Sequence, residues 1–400
     1  MRLSADPAER LRSRHIGLNL VFLVPGETGG MEVYARELIE AMVAVAPGLR
    51  ITAFVNREAA EARWTDTVPT VTVPVRARRR AEWVRGEQAL LPGLAARAGV
   101  DLLHSLASTA PARGRFRRVA TIHDLHYRTI PEAHLGLVGL GMRVLVPLAA
   151  RRSQLVITGS ETSRSELVSL LGVAAEKIQV IPHGVGAQPR VEALPEGELR
   201  GRLGLGDRPV VLSVSAKRPH KNLPRLIEAL AAVPAPERPV LAVPGYPTSH
   251  EDELRRQAAR LGVTEDLRLL GWVDAEELEG LYEAAVCVVY PTLAEGFGLP
   301  VLEAMRRGVP VACSGTGAVR EVTAGGALLF DPLRTDAITA AMQTLLADRS
   351  ERERLRAAGL ARAAEFTWER SARGHLAAYE RVLSAAPRHG VKQVPAAPGG

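Results

Sequence analysis

The sequence has few of the residues that stabilise small secreted domains. Only two cysteines occur in 400 residues, Cys287 and Cys313, and both lie in apolar runs without the paired spacing of a zinc or redox site. We interpret both as buried free thiols of a reducing compartment. The N-terminal segment before Ile16 contains Asp6 and Glu9 and no apolar core, so it does not resemble a signal peptide, and we expect a cytoplasmic location.

The sequence also lacks an apolar run that could span a bilayer. The longest run, residues 135–150, is shorter than the ~20 residues that a transmembrane helix needs, and it carries Arg143 in its middle. This run predicts a buried or interfacial helix.

The formal net charge of +7 is concentrated in one window. Ten arginines lie between Arg76 and Arg118, with Glu82, Glu87 and Asp101 as the acidic residues. A solvated surface is the simplest interpretation of this window. The next is peripheral contact with an anionic membrane from its inner face, with Trp83 as an interfacial anchor. Nucleic acid comes last, because no helix-turn-helix, finger or aromatic stacking pattern accompanies the charge.

Strand-like and helical runs alternate along almost the whole chain, which is typical of parallel sheets covered on both faces by helices. With 46% hydrophobic residues, the chain is long enough for two such domains, each with its own core. The alternation restarts after residues 184–209, whose glycine, proline and charge predict a linker. We therefore predict doubly wound α/β domains at 14–185 and 205–365, a helix at 366–385 and a disordered tail at 386–400.

Ligands of doubly wound sheets bind in the crevice at the carboxyl ends of the strands, so functional residues should directly follow strands. The strands predicted from the sequence are 16–24, 51–55, 71–75, 102–105, 118–122, 154–158, 208–215, 239–243, 267–270, 285–290 and 309–314.

The segment PTLAEGFGLPVLEAMRRGVP places a glycine loop between a predicted strand and a helix. The N–H groups and dipole of a helix N-terminus favour an anion such as a diphosphate, and Pro300 suits a first helical position. Glu295 and Glu303 add carboxylates that accept hydrogen bonds from the hydroxyl groups of a sugar ring and a ribose. The alternative interpretation of Glu303 is a glutamate stabilised by the helix dipole.

The segment AKRPHKN places Lys217, Arg218, His220 and Lys221 directly after the first strand of the second domain. Four potentially cationic groups beside a buried strand are unfavourable together unless a polyanion neutralises them. The segment therefore predicts a diphosphate site, with a solvated basic turn as the alternative. No Walker-type phosphate loop occurs in the sequence, which disfavours phosphoryl transfer from ATP.

Two further segments in the first half follow predicted strands. In PGETGGMEVY, Gly29 and Gly30 either let a ligand approach the backbone or form a plain tight turn. In TIHDLHY, His123, Asp124 and His126 are conceivable metal ligands, but a further partner region is missing. We favour a neutral histidine that donates a hydrogen bond to the substrate.

Together these segments resemble the family 4 retaining glycosyltransferases, which have the GT-B fold of two facing Rossmann-like domains. The resemblance covers about residues 16–385, and its most specific part is EGFGLPVLE, whose two glutamates have that family's spacing. The GG pair, TIHDL, VIPHGV, the KN after RPH, LGWV and a final crossover helix on the N-terminal domain follow in the expected order. The resemblance implies a hexosyltransferase that moves a sugar from a nucleotide diphosphate sugar to a glycan, lipid-linked or small-molecule acceptor.

The resemblance also implies roles for individual residues. Glu303 would bind the ribose hydroxyls, Glu295 and His123 would bind the donor sugar, and Lys221 would neutralise the diphosphate. The other donor contacts that it implies are Gly29, Gly30, Trp272, Val273 and the backbone groups of Phe297, Gly298 and Leu299.

Two positions depart from the family's pattern. The residue before the lysine is often arginine in that family and is His220 here, and Ser215 occupies a site where many members have another arginine. Stabilisation of the diphosphate can therefore fall on Arg218 or Lys217.

The family resemblance implies transfer with retention, by same-face attack in which the leaving phosphate takes the acceptor proton. Fixed cations would supply the charge, so we expect no metal and no cofactor. HDL followed by Pro131 and Glu132 resembles mannosyltransferases acting on polysaccharide or lipid-linked chains, which favours GDP-mannose as donor. The alternatives are inversion with Asp124 as base, a nucleotide-sugar epimerase of the same fold, and a non-catalytic basic protein that binds membrane or nucleic acid.

Overall fold

The structure is a computed structural model that describes residues 7–130, 137–186, 191–246 and 248–385, with the backbone alone at 137–139. The tail predicted at 386–400 and the Pro131–Glu132 pair lie outside these residues.

The first sheet is built from seven parallel strands. They are β1 (His15–Leu20), β2 (Arg50–Val55), β3 (Thr70–Thr72), β4 (Leu102–Ser105), β5 (Arg117–Thr121), β6 (Leu155–Thr158) and β7 (Ile178–Val180). Their order is β3-β2-β1-β4-β5-β6-β7, with Ile16 of β1 paired to Ile51 on one side and to Leu102 on the other. Every residue of β1 is buried, as expected for a central strand covered on both faces.

The second sheet has six parallel strands. They are β8 (Val210–Leu212), β9 (Val240–Val243), β10 (Leu267–Leu269), β11 (Ala285–Tyr290), β12 (Val311–Ser314) and β13 (Leu328–Phe330). Their order, β10-β9-β8-β11-β12-β13, repeats that of the first six strands of the first sheet. The direction of winding reverses between β1 and β4 and again between β8 and β11, and ligands of such sheets bind at these two points.

Helices cover both sheets. Those of the first half are α1 (Pro7–Arg10), α2 (Gly30–Val45), α3 (Arg57–Glu61), α4 (Arg80–Arg85), α5 (Leu91–Arg97), α6 (His126–Thr129), α7 (Leu137–Arg152) and α8 (Glu161–Leu171). Those of the second half are α9 (Glu196–Leu203), α10 (Leu223–Ala232), α11 (Glu251–Leu261), α12 (Ala275–Ala284), α13 (Leu299–Arg306), α14 (Gly317–Thr323), α15 (Thr335–Ala347), α16 (Arg349–Ala363) and α17 (Trp368–Ser384). Across the described ranges, none of these helices is long and apolar enough to cross a bilayer.

The last helix, α17, belongs to the core of the first domain although it ends the described chain. Its buried residues recur at helical spacing, from Trp368 through Ala372 and Leu376 to Tyr379, and they pack into the cluster around β1 and α2. The second domain has separate apolar clusters, which contain alternate residues of its strands. The chain therefore passes between the domains twice.

The two passages touch at Gly184. The Val185 amide donates to the Phe366 carbonyl oxygen at 3.0 Å. A Cβ atom at Gly184 would lie 2.2 Å from the Trp368 backbone nitrogen, so a side chain there would push the two passages apart. This close contact is the structural reason for glycine in the VIPHGV segment.

The basic window between Arg76 and Arg118 does not form one patch. Arg76 pairs with Glu61 at 2.7 Å and Arg78 with Glu27 at 2.5 Å, beyond the carboxyl end of β3. Arg117 and Arg118 instead lie at the amino end of β5, a strand inside the sheet. Trp83, predicted as an interfacial anchor, is only 8% exposed and packs in the first core. Trp83 is therefore not placed as the interfacial anchor that the second interpretation of this window requires.

A buried chain of hydrogen bonds ties α17 to the first sheet. The Tyr34 hydroxyl lies 2.9 Å from His375 Nε2 and 3.0 Å from Thr121 Oγ1. His104 lies 2.8 Å from Thr121 through Nε2 and 2.7 Å from the Tyr379 hydroxyl through Nδ1. Burial lowers the pKa of both histidines, so both rings are neutral at pH 7.

We expect this chain to make the fold sensitive to acid. Burial lowers the pKa of His375 from its ordinary value of 6.5 to about 4, so its stabilising effect is complete above pH 6.5. That effect is lost as the pH falls from 6.5 towards 4, at a cost of about 3 kcal/mol for this residue. Thermal unfolding of His375→Gln should therefore depend less on pH over this range than unfolding of the wild type.

The control for this measurement is Gly201→Ala, which lies in α9 of the second domain and changes no titratable group. This variant should keep the wild-type pH dependence. Equal slopes for wild type and His375→Gln between pH 6.5 and 4 would contradict the assignment.

Candidate active site

The loop between β11 and α13 places Glu295 at the crevice end of the second sheet. Its carboxylate accepts hydrogen bonds from Lys221 Nζ at 2.6 Å, the Tyr290 hydroxyl at 2.8 Å and Thr292 Oγ1 at 2.9 Å. The Lys221 and Glu295 side chains are 14% and 13% exposed. Although burial opposes ionisation, the Lys221 ammonium lowers the pKa of Glu295 to about 2. The glycine loop and the basic loop predicted from the sequence therefore meet in an ion pair.

The basic loop does not gather its four basic side chains. Lys221 faces Glu295, Arg218 is exposed, and burial lowers the pKa of the His220 imidazole to about 3, so that ring is neutral. The repulsion expected from the sequence is relieved by separating the charges. Lys221 is the cation that this loop brings to the crevice.

Lys217 turns away from the crevice and is fully buried. Its ammonium donates to the carbonyl oxygens of Gly245, at 2.5 Å, and of Leu270, which follow β9 and β10. Burial lowers the pKa of Lys217 to about 8. This position does not match the diphosphate contact predicted for Lys217. Arg218, which is exposed, therefore remains the alternative to Lys221 as the cation that contacts the diphosphate.

Glu303 lies in α13 with its Oε2 atom 3.4 Å from the Tyr282 hydroxyl. Burial raises the pKa of this carboxyl group. Arg307, on the next turn, instead pairs with Glu279 at 2.7 Å and lies over the Tyr282 ring. Glu303 therefore makes one long hydrogen bond to the side chains around it and keeps most of its capacity to accept hydroxyl groups.

His123 follows β5 in the first domain. Its Nε2 atom is 2.8 Å from the Leu106 carbonyl oxygen, which can only accept, so Nε2 carries the proton. Burial lowers the pKa of His123, which keeps the ring neutral, and Nδ1 is then a hydrogen-bond acceptor. His123 can therefore accept a hydrogen bond from a substrate hydroxyl group through Nδ1, which is the reverse of the direction predicted from the sequence.

The two domains meet at Gly296. Its carbonyl oxygen accepts from Ser160 Oγ at 2.8 Å and from Ser163 Oγ at 3.2 Å. Ser163 Oγ also lies 3.1 Å from the His123 carbonyl oxygen. A Cβ atom at Gly296 would lie 2.2 Å from that same oxygen, so glycine permits the contact. The predicted histidine loop and the predicted glycine loop are therefore direct neighbours.

A carboxylate of the second domain caps a helix of the first beside this contact. The Glu321 side chain accepts from the Glu161 amide at 2.9 Å and from the Thr162 amide at 3.1 Å, at the start of α8. Negative charge at a helix N-terminus is favourable. This cap adds to the closed arrangement of the domains.

Phe297 anchors the glycine loop. Its buried ring lies 4.7 Å from His183 and 5.8 Å from Phe366. Gly298 follows with φ of 108°, in the region that favours glycine, and Leu299 begins α13 with Pro300 in its first turn. The buried side chain of Phe297 thus fixes the glycine loop. The loop leads from Glu295 into the first turn of α13.

Trp272 lies beyond β10 and is 66% exposed. Its ring is 5.0 Å from that of Tyr246, whose hydroxyl donates to the Gly26 carbonyl oxygen of the first domain. The neighbouring Val273 packs against the second core. An open aromatic face at this end of the crevice is suited to stacking on a nucleotide base.

The glycine pair lies at the start of α2, with Gly29 as the N-cap and Gly30 as the first helical residue. Gly29 has φ of 63° and ψ of −134°, a conformation that favours glycine. A Cβ atom at Gly30 would meet nothing within 4 Å. The backbone of both glycines is therefore open to close approach by a ligand.

The three residues considered as metal ligands are not arranged as ligands. Asp124 Oδ1 accepts from the His126 amide at 3.0 Å, and His123 Nε2 is held by the Leu106 carbonyl oxygen. In the part of the chain that the structure describes, no group of three or more His, Cys, Asp and Glu side chains could hold a metal ion.

Several residues of the site were not predicted from the sequence. They support the predicted residues from other elements and are Tyr246, Tyr282, Tyr290, Thr292, Arg307, Ser160, Ser163 and His183. Tyr290 and Thr292 flank the end of β11, so their position after a strand was a usable signal. Ser160 and Ser163 act across the domain interface, which the order of residues along the chain does not reveal.

Comparison with known families gives two matches along the chain. The profile of the family described as Glycosyltransferase Family 4 matches residues 28–188, and that of Glycosyl transferases group 1 matches residues 196–362. Glu295, Glu303 and Lys221 lie within the second match.

Individual proteins agree with these matches. O-antigen chain mannosyltransferase B of Escherichia coli is 35% identical over 271 residues, which is 66% of this chain and 70% of that protein. D-inositol 3-phosphate glycosyltransferase of Frankia alni is 29% identical over 405 residues, covering 90% of this chain and 96% of the relative. The structure of sucrose-phosphate synthase from Thermosynechococcus elongatus superposes with a TM-score of 0.77 at 22% identity, covering 93% of this chain and 100% of the other.

Proposed function

Because the chain belongs to the group 1 glycosyltransferases of family 4, we propose that it transfers a hexose from a nucleotide diphosphate sugar with retention and without a metal. The chain is a glycosyltransferase with the two-domain GT-B fold, and it uses a nucleotide sugar. The stereochemistry, the sugar and the independence from metal are the parts that we propose.

The Lys221–Glu295 ion pair beside the start of α13 carries this proposal. It puts a fixed ammonium group and a helix N-terminus at the carboxyl end of β11, beside the point where the winding of the sheet reverses. Glu303 adds a carboxyl group for the ribose on the same helix, and Trp272 adds an aromatic face for the base. The contacts fit the base, ribose, diphosphate and sugar of one extended donor.

The proposed reaction breaks the bond between the anomeric carbon and the leaving diphosphate oxygen. Negative charge develops on that oxygen, and Lys221 with the first amides of α13 stabilises it. The acceptor hydroxyl attacks from the same face, its oxygen bonds to the anomeric carbon, and its proton passes to the leaving phosphate. His123 accepts a hydrogen bond from a sugar hydroxyl through Nδ1 and holds the ring against the glycine loop.

Mannose is the sugar that we favour. The Escherichia coli relative is named as an O-antigen chain mannosyltransferase, which supports GDP-mannose as donor and a glycan or lipid-linked chain as acceptor. A UDP sugar is the main alternative.

A panel of nucleotide diphosphates and nucleotide sugars tests the donor. A ligand at about 100 times its dissociation constant stabilises the folded state by about 2.7 kcal/mol, so the correct nucleotide should raise the unfolding temperature measurably. Proton NMR of the product then gives its anomeric configuration. An inverted product would exclude retention, and isomerisation of the donor alone would indicate an epimerase.

We expect transfer to be insensitive to chelators. Lys221 supplies the positive charge at the leaving phosphate that a divalent ion supplies in other transferases, so EDTA should leave the initial rate unchanged. Titrating Mg²⁺ and Mn²⁺ back into the treated protein is the control. A rate that falls with EDTA and returns with either ion would contradict metal independence.

A further inference from the structure

Helix α7 presents a face to solvent that mixes arginine with aliphatic side chains. Leu140, Val144, Pro147 and Arg151 recur at spacings of four, three and four residues, so they lie in one stripe. Leu140 and Val144 are each 62% exposed. The opposite side of the helix, at Val146, Ala149 and Ala150, is buried against the first domain. The stripe is therefore the outer surface of a helix that is already anchored.

A groove of about 630 Å³ runs beside this stripe. It is lined by Arg128 of α6, by Arg143 and Arg151 of α7, and by Val144 and Pro147 between them. Arg128 is fixed there by a hydrogen bond from Nη1 to the Leu170 carbonyl oxygen at 2.5 Å. The groove thus combines three guanidinium groups with an apolar rim.

Helix α7 itself carries basic residues and no acidic ones. The sequence has no aspartate or glutamate between Glu132 and Glu161, while it has Arg143, Arg151 and Arg152. The arginines of this surface attract an anionic partner. An extended partner would also bury the exposed aliphatic side chains between them.

We propose that the outer face of α7 docks on an anionic phospholipid bilayer. The three guanidinium groups contact lipid phosphates, and Leu140 and Val144 enter the boundary between head groups and acyl chains. Arginine matches phosphate by paired hydrogen bonds, and its aliphatic stem extends the apolar contact. This docking does not depend on which donor the protein uses.

The composition argues against two other occupants. A second copy in a two-fold contact would place these arginines against their own counterparts, which is unfavourable. Single-stranded nucleic acid is bound by aromatic side chains that stack on bases, whereas the apolar residues described in the groove lining are Val144 and Pro147. An anionic bilayer provides phosphate groups for the arginines and an apolar layer for the aliphatic stripe.

The location also suits an acceptor held at a membrane. Arg128 lies in α6, which begins two residues after Asp124 in the histidine loop of the active site. Docking through α7 would bring the crevice close to the lipid surface. The arginines between Arg76 and Arg118 do not offer such a surface, because they are divided between the carboxyl end of β3 and the amino end of β5.

Sedimentation with vesicles tests the proposal. The wild type should sediment with phosphatidylglycerol vesicles and remain in solution with phosphatidylcholine vesicles. Each basic group near an anionic surface strengthens binding about fivefold, so the variant R143Q/R151Q should bind about 25-fold more weakly. The variant L140S/V144S removes the apolar contact and should also bind more weakly, at unchanged net charge.

The matched control is R113Q/R115Q, which removes the same charge from exposed positions before β5. It should keep most of the vesicle binding. Unfolding temperatures and nucleotide binding of all variants check the fold and are independent of the vesicle result. Equal losses in R143Q/R151Q and R113Q/R115Q, binding to phosphatidylcholine, or release by millimolar inorganic phosphate would each overturn the proposal.

Discussion

Replacing Lys221 by alanine should lower kcat by about 10²- to 10³-fold, with a smaller change in KM for the donor. Lys221 Nζ, held 2.6 Å from Glu295 and 2.7 Å from the Tyr290 hydroxyl, is the cation that the basic loop places at the crevice. The charge on the leaving phosphate is larger in the transition state than in the bound donor. Loss of the ammonium group should therefore raise the barrier more than it weakens binding.

A second effect of the same substitution follows from burial. Glu295 is ionised because Lys221 compensates the cost of burying it, and alanine leaves that carboxylate without its partner. The pKa of Glu295 should then rise. The acidic limb of the pH profile should therefore lie at a higher pH for Lys221→Ala than for the wild type. The pH dependence of kcat/KM for the two proteins measures this shift.

Arg218→Gln is the matched control, because it removes one cation from the same loop at an exposed position. It should retain kcat within about fivefold, since an exposed charge acts weakly through water. If Arg218→Gln lost activity and Lys221→Ala kept it, the diphosphate would lie along Arg218 and the role given to Lys221 would be wrong.

The sequence predicted the two sheets well because the parallel strands are short apolar runs separated by clear turns. Two strands were missed, β7 and β13, which have three residues each. Their length alone does not explain this, because β3, β8 and β10 are equally short and were predicted. The meeting of Glu295 with Lys221 was also predictable. Both residues follow adjacent strands at a point where the winding reverses, and the carboxyl ends of those strands share one edge.

The directions of individual side chains were not predictable in the same way. Lys217 and Lys221 stand four residues apart in one basic segment, but only the second faces the crevice. The proton position on His123 depends on the Leu106 carbonyl oxygen, which comes from the loop after β4. Each outcome is decided by an atom from another strand, and residue spacing carries no information about such atoms.

The distribution of charge on the first domain was not predictable for a similar reason. Net charge over the window from Arg76 to Arg118 did not show that Glu27 and Glu61, outside the window, pair with its arginines. The apolar run at 135–150 predicted a buried or interfacial helix, and the sequence alone does not decide between the two. Exposure of Leu140 and Val144 becomes visible only when the helix is placed on its domain.

Replacing Gly296 by alanine should lower kcat/KM by about 100-fold or more while the protein remains folded. The added Cβ atom would lie 2.2 Å from the His123 carbonyl oxygen, and the nearest relief is to move the glycine loop and the histidine loop apart. These loops hold the two sides of the donor sugar in the proposed site. A displacement of about 1 Å at a reacting centre can cost a factor of about 100 in rate.

The backbone of Gly296 does not require glycine for conformational reasons, because its φ is outside the positive region. The effect of alanine should therefore come from the contact between domains, including the hydrogen bonds from Ser160 and Ser163. Nucleotide diphosphate binding, which we assign mainly to the second domain, should change within about fivefold in Gly296→Ala. Loss of transfer with retained nucleotide binding is the signature of an obstructed closure.

Gly201→Ala in α9 is the matched control, because a Cβ atom there meets nothing within 4 Å and alanine favours the helix. This variant should keep full activity and gain slightly in stability. If Gly296→Ala instead transferred sugar at the wild-type rate, the loops would not need to touch during catalysis. The contact between Gly296 and His123 would then describe a resting arrangement, and the position of His123 against the donor sugar would have to be reassigned.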